Sequence, residues 1–326
     1  AYPVTLGLYG ESGASLLDGV EFGTFPGGNA GINRYFVKTM IPDAIGGEKE
    51  YTAIHNGPIN FDALDRPSNP VRIRLGALVV HVQHDGDREK ADTLTVAYEK
   101  GGKVFLVKAR SVVMCGQGYI NKKVCADLPD EFLRAYQEFH YGPMLTINVA
   151  LRNWRFLEKL GVSAVRWFGG EMGFWVNVRQ PMVMSDGSTA PLDPDRPVVL
   201  SNYVAFPTAG VDVRTSGTLG RTRLFSRSYR DLEEWVIRHY TLLFGQYGFD
   251  ARRDIAGIIT NRWGHAYISP GPGFFYDRNG KTSPMNVIRN GYGRVFFGHS
   301  ETAGRQLWSV AAAEGRRAAQ QALELL

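Results

Sequence analysis

Gly291-Tyr292-Gly293-Arg294-Val295-Phe296-Phe297-Gly298-His299-Ser300-Glu301-Thr302-Ala303-Gly304, followed by Trp308 to Leu326, reads as a buried strand, a tight turn carrying an acid, and a small-residue helix. Val295, Phe296 and Phe297 form a short apolar run bounded by glycines, the pattern of a buried strand. Ser309 to Leu326 is rich in Ala, Glu, Arg and Leu, all strong helix formers. A strand therefore feeds a tight turn that carries the acid Glu301, and the turn feeds a helix. Backbone N–H groups in the first turn of such a helix have no intrahelical acceptor and can face an electron-rich or anionic ligand. Ala311, Ala312, Ala313 and Gly315 are small enough to let a flat ring approach. An ordinary buried C-terminal helix is the alternative, since glycine-bounded strand–helix corners are common in α/β proteins.

Outward from this corner, the chain has 326 residues, enough for one large or two intertwined domains. A formal net charge of +5 is mild for this length, and Lys and Arg are scattered, so nucleic acid is not expected as a partner. No apolar run reaches the roughly 18 to 20 residues needed to span a bilayer, and no signal-like segment opens the chain. The start at Ala1 suggests processing or trimming. Cys115 and Cys125 offer neither a disulfide framework nor a metal spacing, and no metal is expected. A buried inert thiol is the expected state of Cys115.

Phe25-Pro26-Gly27-Gly28-Asn29 precedes Ala30 to Ile41, where Ile32, Phe36, Val37 and Met40 recur at helical spacing until Pro42. Val71 to Val82, Thr93 to Tyr98 and Val104 to Val113 read as three β-rich runs, with Asp85-Gly86-Asp87 and Gly101-Gly102 as turns, and predict a small antiparallel sheet. Leu128-Pro129-Asp130 opens a helix through Tyr136, and Leu145 to Leu151 reads as a strand. Trp154 to Tyr276 mixes strands, a helix around Leu232 to Phe244 and many aromatics, and reads as a second lobe.

An ordered series of segments now supports a family resemblance. It comprises Phe25-Pro26-Gly27-Gly28-Asn29-Ala30, Pro70-Val71-Arg72-Ile73-Arg74-Leu75, Asn148-Val149-Ala150-Leu151-Arg152-Asn153-Trp154, Gly248-Phe249-Asp250-Ala251-Arg252-Arg253-Asp254-Ile255, Asn261-Arg262-Trp263-Gly264-His265-Ala266-Tyr267 and Gly293-Arg294-Val295. In that order the chain resembles the C-terminal two-thirds of a flavin-dependent amine oxidoreductase of the monoamine-oxidase-like superfamily, nearest the spermidine dehydrogenases. The resemblance implies an α/β fold in which a Rossmann-like FAD-binding lobe, residues 27–129 and 286–326, is interleaved with a mixed-sheet substrate lobe, residues 1–26 and 130–285.

The resemblance also implies roles. Gly27 and Gly28 match the second Gly-Gly element on the flavin side, and Val79 matches the strand residue whose main chain meets the adenine. Val113 to Gly118, Gly116 included, match the strand end beneath the dinucleotide. Glu301 matches the acid near the ribityl and pyrophosphate part, and Trp308, Ser309 and Val310 match the turn whose N–H groups face the pyrimidine ring. The closing motif, His299-Ser300-Glu301-Thr302-Ala303-Gly304, departs from the Asn-Ser-Asp-Ala-Gly of close relatives toward the general amine oxidase form. The family's flavin-contacting lysine has no clear counterpart. Spermidine dehydrogenases are associated with haem, yet no Cys-x-x-Cys-His is present.

A flavoprotein of this type opens with strand, Gly-x-Gly-x-x-Gly and helix, with an acid about 20 residues on. That fingerprint is missing here: Gly7-Leu8-Tyr9-Gly10-Glu11-Ser12-Gly13 has the wrong spacing and reads as a surface turn. A companion polypeptide, or a segment removed by proteolysis, is expected to supply it.

Trp263, His265 and Tyr267 are the candidate substrate wall, with a packed aromatic core strand as the alternative. Aromatic faces attract an ammonium through cation–π contact, and His265 can take its proton or hydrogen-bond to it. Trp167, Phe168, Phe174 and Trp175 read as core or lobe interface. His81 and His84 lie three apart on a strand-like run, hence on opposite faces. Arg316 and Arg317 read as charges on the helix surface. The function implied is oxidation of a polyamine-like amine by FAD, with dioxygen, a quinone or haem as final acceptor. An amino-acid oxidase, a desaturase of a larger amine metabolite and a noncatalytic partner subunit are the rival readings.

Overall fold

In the computed structural model, the described residues are 29–167, 173, 175–178 and 193–325. In chain order they form α1 (Ala30–Met40), α2 (Tyr51–Asn56), β1 (Leu78–His84), β2 (Leu94–Lys100), β3 (Lys103–Ala109), β4 (Val112–Met114), α3 (Gly118–Val124) and α4 (Asp130–Gln137). Next come β5 (Tyr141–Leu151), α5 (Arg155–Leu160), β6 (Ala164–Arg166), β7 (Trp175–Val178), β8 (Val198–Ala205), α6 (Val213–Phe225) and α7 (Tyr229–Phe244). The chain closes with α8 (Ala251–Asp254), β9 (Ile255–Ile268), α9 (Pro284–Asn290), β10 (Val295–Phe297) and α10 (Trp308–Leu323). These elements fall into two compact units, one from 29–138 and 273–325, the other from the described residues between 139 and 272.

In the first unit, β1, β2 and β3 form the antiparallel sheet that the turn glycines predict. The first β-rich run starts late, however, and Val71 to Arg74 is not strand. Arg72 and Arg74 both bend to Asp65, at 2.7 and 2.8 Å, and Ile73 N–H donates to the Leu64 carbonyl. The Arg74 guanidinium, helped by that of Arg72, holds the Asp65 carboxyl at about 2. The third run also splits: Val112 to Met114 leaves the sheet and pairs in parallel with β10, Val295 opposite Val112 and Phe297 opposite Met114.

β10 is buried throughout because both of its faces are covered. On one side Phe296 packs with Ala318 and Ala322 of α10. On the other, Phe297 meets the rings of Phe132 and Tyr136 from α4, with centroids 5.9 Å away in each case. A buried carboxylate locks the helix down. Glu314, 4% exposed, accepts from the Thr302 hydroxyl at 2.8 Å and from Arg317 Nε at 2.9 Å, and pairs with Arg289 at 3.0 Å. Arg317 donates in addition to the Phe297 carbonyl at 2.5 Å. Arg317 is therefore a clamp and not the surface charge that its place in a terminal helix suggests.

In the first unit's N-terminal part, Ile32 of α1 is buried, while Phe36 and Met40 of the same apolar stripe are exposed. Arg34 ties α1 to α2 by donating to the Ile54 and Gly57 carbonyls at 2.9 and 2.6 Å.

Among the described residues, the second unit holds a five-stranded antiparallel sheet, order β6-β7-β8-β5-β9, with α5, α6 and α7 contributing to one core. Leu145, Ile147, Val149 and Leu151 alternate toward that core, as a half-buried strand requires, and meet Leu224, Leu232, Val236, Tyr240 and Phe244. Asp254, fully buried at the end of α8, accepts from Asn153 Nδ2 at 2.9 Å, from Asp250 N at 2.8 Å and from Arg253 Nε at 2.8 Å. These bonds explain the quoted segments around Asn153 and Asp250: both serve one buried acid. Trp167 lies in the same core, 4.7 Å from the His239 ring, as its core reading requires. Phe168 and Phe174 lie outside the described residues.

Candidate functional site

The parallel pair β4–β10 ends in two turns side by side, and ligands of α/β proteins bind outside the carboxyl ends of parallel strands. After β4 come Cys115, Gly116 and Gln117, then α3. After β10 comes Gly298, whose N–H extends the ladder to the Met114 carbonyl at 2.9 Å, then the 3-10 turn Ser300–Ala303. Glu301 on that turn is 1% exposed, and its Oε1 accepts the Gly118 N–H at 2.5 Å. Gly118 has to be glycine, because a Cβ there would lie 2.3 Å from the Tyr136 ring. Burial raises the Tyr136 hydroxyl, and the Glu301 carboxylate raises it further.

Around this acid the surface combines acceptors with the N–H groups of a helix start. Gly116 is exposed, and its carbonyl is held by Asn121 Nδ2 at 2.9 Å. The buried Asn121 Oδ1 has no hydrogen-bond partner, and it lies 3.0 Å from where a Gly116 Cβ would stand. The N-cap residue of α10, Leu307, offers no side-chain cap to the N–H groups of Trp308, Ser309 and Val310. Ala312 and Ala313 are exposed, and a Cβ on Gly315 would meet only the Gly298 carbonyl, at 4.0 Å. A buried carboxylate acceptor, a helix start to which Leu307 gives no side-chain cap, and glycines that leave room fit the hydroxyls, the charge and the bulk of a flavin dinucleotide.

Val79 sits on β1, an edge strand, opposite Tyr98 and beside an irregularity in register between Val79 and His81. Edge strands leave alternate main-chain groups outside the ladder, which suits the expected contact with a base edge. Gly27 and Gly28 lie outside the described residues, as does Gly7 to Gly13. Cys115 is exposed, contrary to the buried state expected of it, because it follows the last paired residue of β4. Cys125 is the buried thiol, pushed up to about 11 by desolvation. His81 and His84 have other partners: His81 Nε2 is 3.1 Å from Gln83, and buried His84 lies 2.7 Å from Asp127 and accepts the Arg294 N–H at 2.9 Å.

The second unit carries Trp263, His265 and Tyr267 on β9. Trp263 pairs with Met144 and Tyr267 with Gly142, so three residues of β9 oppose Pro143 alone, and His265 is in that bulge. Trp263 is 57% exposed, which excludes the packed core strand at this position. Gly264 backs onto α6, where a Cβ would come within 2.9 Å of the Phe225 ring. His265 stands edge-on to Tyr141 with centroids 5.4 Å apart. Burial, then the Arg221 charge, keep its imidazole below the ordinary histidine value, so it is neutral at neutral pH. Strand register adds Tyr203 to this sheet face and sets Trp175, expected in the core or a lobe interface, beside it. Tyr203 pairs with Thr146, which pairs with Asn261, one step from the Ala205–Met144–Trp263 row. Trp175, opposite Tyr203, stacks on it at 5.2 Å and 18°.

Among the described residues no helix is long and apolar enough to cross a membrane. No curated protein sequence matches the chain. Among solved structures, putrescine oxidase with putrescine bound is similar at a TM-score of 0.51 and 15% identity, over 75% of this chain and 48% of that one. A redesigned triple variant of putrescine oxidase has a TM-score of 0.51 at 14% identity, over 76% and 48%. Cyclohexylamine oxidase from Brevibacterium oxydans IH-35A has a TM-score of 0.48 at 14% identity, over 76% and 48%. The two similarities above one half show a shared fold, and the chain spans about half the length of these proteins. The sequence profile for flavin containing amine oxidoreductases matches residues 60–323, from the arginine-clamped Asp65 loop through the Glu301 corner to the end of α10, so the chain belongs to that family.

Proposed function

We propose that this chain is one chain of a multi-chain or processed FAD-dependent enzyme that oxidises the carbon–nitrogen bond of a polyamine-like substrate, in the manner of spermidine dehydrogenases. The observation that carries the cofactor reading is the buried Glu301 at the carboxyl ends of β4 and β10, followed by the uncapped start of α10. Glu301 would lie near the ribityl and pyrophosphate part and accept from ribityl hydroxyls, Gly116 would leave room for the dinucleotide, and Trp308, Ser309 and Val310 would direct N–H groups at the pyrimidine ring. Val79 would meet the adenine, and Gly27 and Gly28 would approach the flavin. In this reading 27–129 and 286–326 hold the cofactor, and 1–26 and 130–285 the substrate. Bound there, FAD supplies the hydride acceptor for the carbon next to the amine nitrogen, and the resulting imine is hydrolysed by water.

The exposed Trp263 face supports an amine substrate, since an indole ring attracts a cation by about 0.5–2 kcal/mol. Tyr267 would extend that wall. The neutral imidazole of His265 would take the ammonium proton, leaving the nitrogen lone pair that hydride loss from carbon requires. Putrescine oxidase with putrescine bound shares the fold, which agrees with a diamine or polyamine.

We also infer a companion polypeptide that carries the dinucleotide fingerprint. Four consecutive residues of β3, Val104 to Val107, are exposed, Val104 at 65% and Leu106 at 70%, and Leu78, Val79 and Val80 of β1 are exposed as well. Consecutive residues point to opposite faces, so apolar surface lies open on both sides of this sheet.

The test is a screen of the assembled protein with spermidine, putrescine, monoamines and basic amino acids, read with an artificial electron acceptor so that the natural one need not be known. Polyamines are expected to give the highest kcat/KM. A preference for basic amino acids would replace this substrate with an amino-acid oxidase reading.

A further inference from the structure

His299 stands between two groups of Glu301 that require opposite protonation states. Its Nδ1 accepts the Glu301 main-chain N–H at 3.2 Å, which caps the Ser300–Ala303 turn. The same nitrogen lies 3.8 Å from the Glu301 carboxylate Oε2. Only an unprotonated Nδ1 accepts the N–H, so the geometry assigns the neutral ring with its proton on Nε2. A protonated Nδ1 can only donate, and the nearby acceptor is the carboxylate.

Resting on the FAD reading above, we propose that His299 is a positioning residue for the cofactor acid: neutral, it holds the turn that presents Glu301, and protonated, it exchanges that bond for an ion pair with the carboxylate and weakens FAD binding. Other groups bear on the same turn. Tyr136 of α4 feels the Glu301 carboxylate, the Cys115 thiol lies 3.4 Å from where a Gly298 Cβ would stand, and from α10 Glu314 accepts from Thr302 while Arg317 donates to the Phe297 carbonyl. Arg289 of α9 is committed to Glu314 at 3.0 Å. Of these, Glu301 is the charged group placed to exchange partners with the imidazole.

Burial lowers the His299 imidazole below the ordinary histidine value. The sign follows from that direction. The neutral ring belongs to the folded, cofactor-holding state, so its contribution is complete above the unfolded value of about 6.5 and is lost as pH falls through the lower native value. Tight binding of FAD then requires release of one proton from this residue at acid pH.

The test is the FAD dissociation constant of the assembled protein as a function of pH, measured by recovery of flavin fluorescence, for wild type, His299→Asn and His299→Leu. Asparagine keeps an acceptor for the Glu301 N–H but does not titrate; leucine offers no acceptor. In wild type the constant should rise at least 10-fold toward acid pH, approaching 10-fold per pH unit. His299→Asn should bind FAD like wild type at neutral pH with a flat profile, and His299→Leu should bind at least 5-fold more weakly at every pH. A flat wild-type profile, or the wild-type slope retained in both variants, overturns the role of His299. A wild-type assembly with no flavin at all overturns the FAD reading instead.

Discussion

Replacing Glu301 with alanine is expected to leave the assembled protein nearly colourless after gel filtration, with its flavin lost to the buffer. Glu301 is 1% exposed, and its carboxylate is fixed by the Gly118 N–H at 2.5 Å, so it is already oriented before a ligand arrives. Hydrogen bonds to a charged group contribute about 1.5–3 kcal/mol, so losing one to the cofactor corresponds to roughly 10- to 150-fold weaker binding. Alanine also leaves the Gly118 donor without its carboxylate, at a cost of about 1–3 kcal/mol. Glu301→Gln separates the two effects. The amide keeps an acceptor for Gly118 and nearly the same volume, so thermal stability should stay close to wild type while FAD affinity falls by about 10-fold. Equal FAD affinity in all three proteins, measured by equilibrium dialysis, would remove Glu301 from the site.

Expression of residues 1–326 without the companion segment is expected to yield aggregated or flavin-free protein. The apolar run Val104 to Val107 is exposed on an edge strand, a template for pairing with other chains. Co-expression with a polypeptide carrying the strand and Gly-x-Gly-x-x-Gly turn should restore a defined complex by native mass spectrometry, with an obligate-sized interface on the order of 2,000 Å² or more. A well-behaved yellow monomer of this chain alone, oxidising amines, would refute the need for a companion.

The corner that holds Glu301 was readable in the sequence because each signal is local. A three-residue apolar run between glycines, then helix formers, leaves few alternatives, and β10 and α10 lie within a residue or three of those bounds. The same holds for the antiparallel sheet, where Gly101 and Gly102 both adopt the positive φ of a tight turn. Elements decided by tertiary partners were less legible. α6 carries Gly217 and Gly220, poor helix formers, and exists because their missing side chains let it lie on the Tyr141 and Phe206 carbonyls, where a Cβ would come within 2.3 and 2.6 Å. β5 begins four residues before the expected Leu145 and runs through Gly142 and Pro143, residues that normally argue against a strand. Val71 to Arg74 has β-forming composition but its arginines are drawn to Asp65.

In the candidate site, family motifs single out the residues proposed to face the cofactor, while the aromatic face is legible only in part. Trp263 stood out by type. Tyr203 and Trp175 join its sheet face through strand order and register, which link residues far apart in the chain and leave no local trace. Arg317 looked like a surface charge for the same reason, since its partner Glu314 is buried only because α9, β10 and the Ser300–Ala303 turn converge on it.

Amine oxidation by a flavin held at the Glu301 corner is open to one anaerobic experiment that tests both the chemistry and the cofactor. The assembled wild-type protein is mixed with spermidine or putrescine in the absence of dioxygen, and the visible flavin spectrum is followed by stopped flow. The flavin spectrum is expected to bleach in a single saturable phase as substrate is added, with about one imine equivalent formed per flavin. A flavin spectrum that no amine changes, or a protein that shows no flavin spectrum at all, would contradict it.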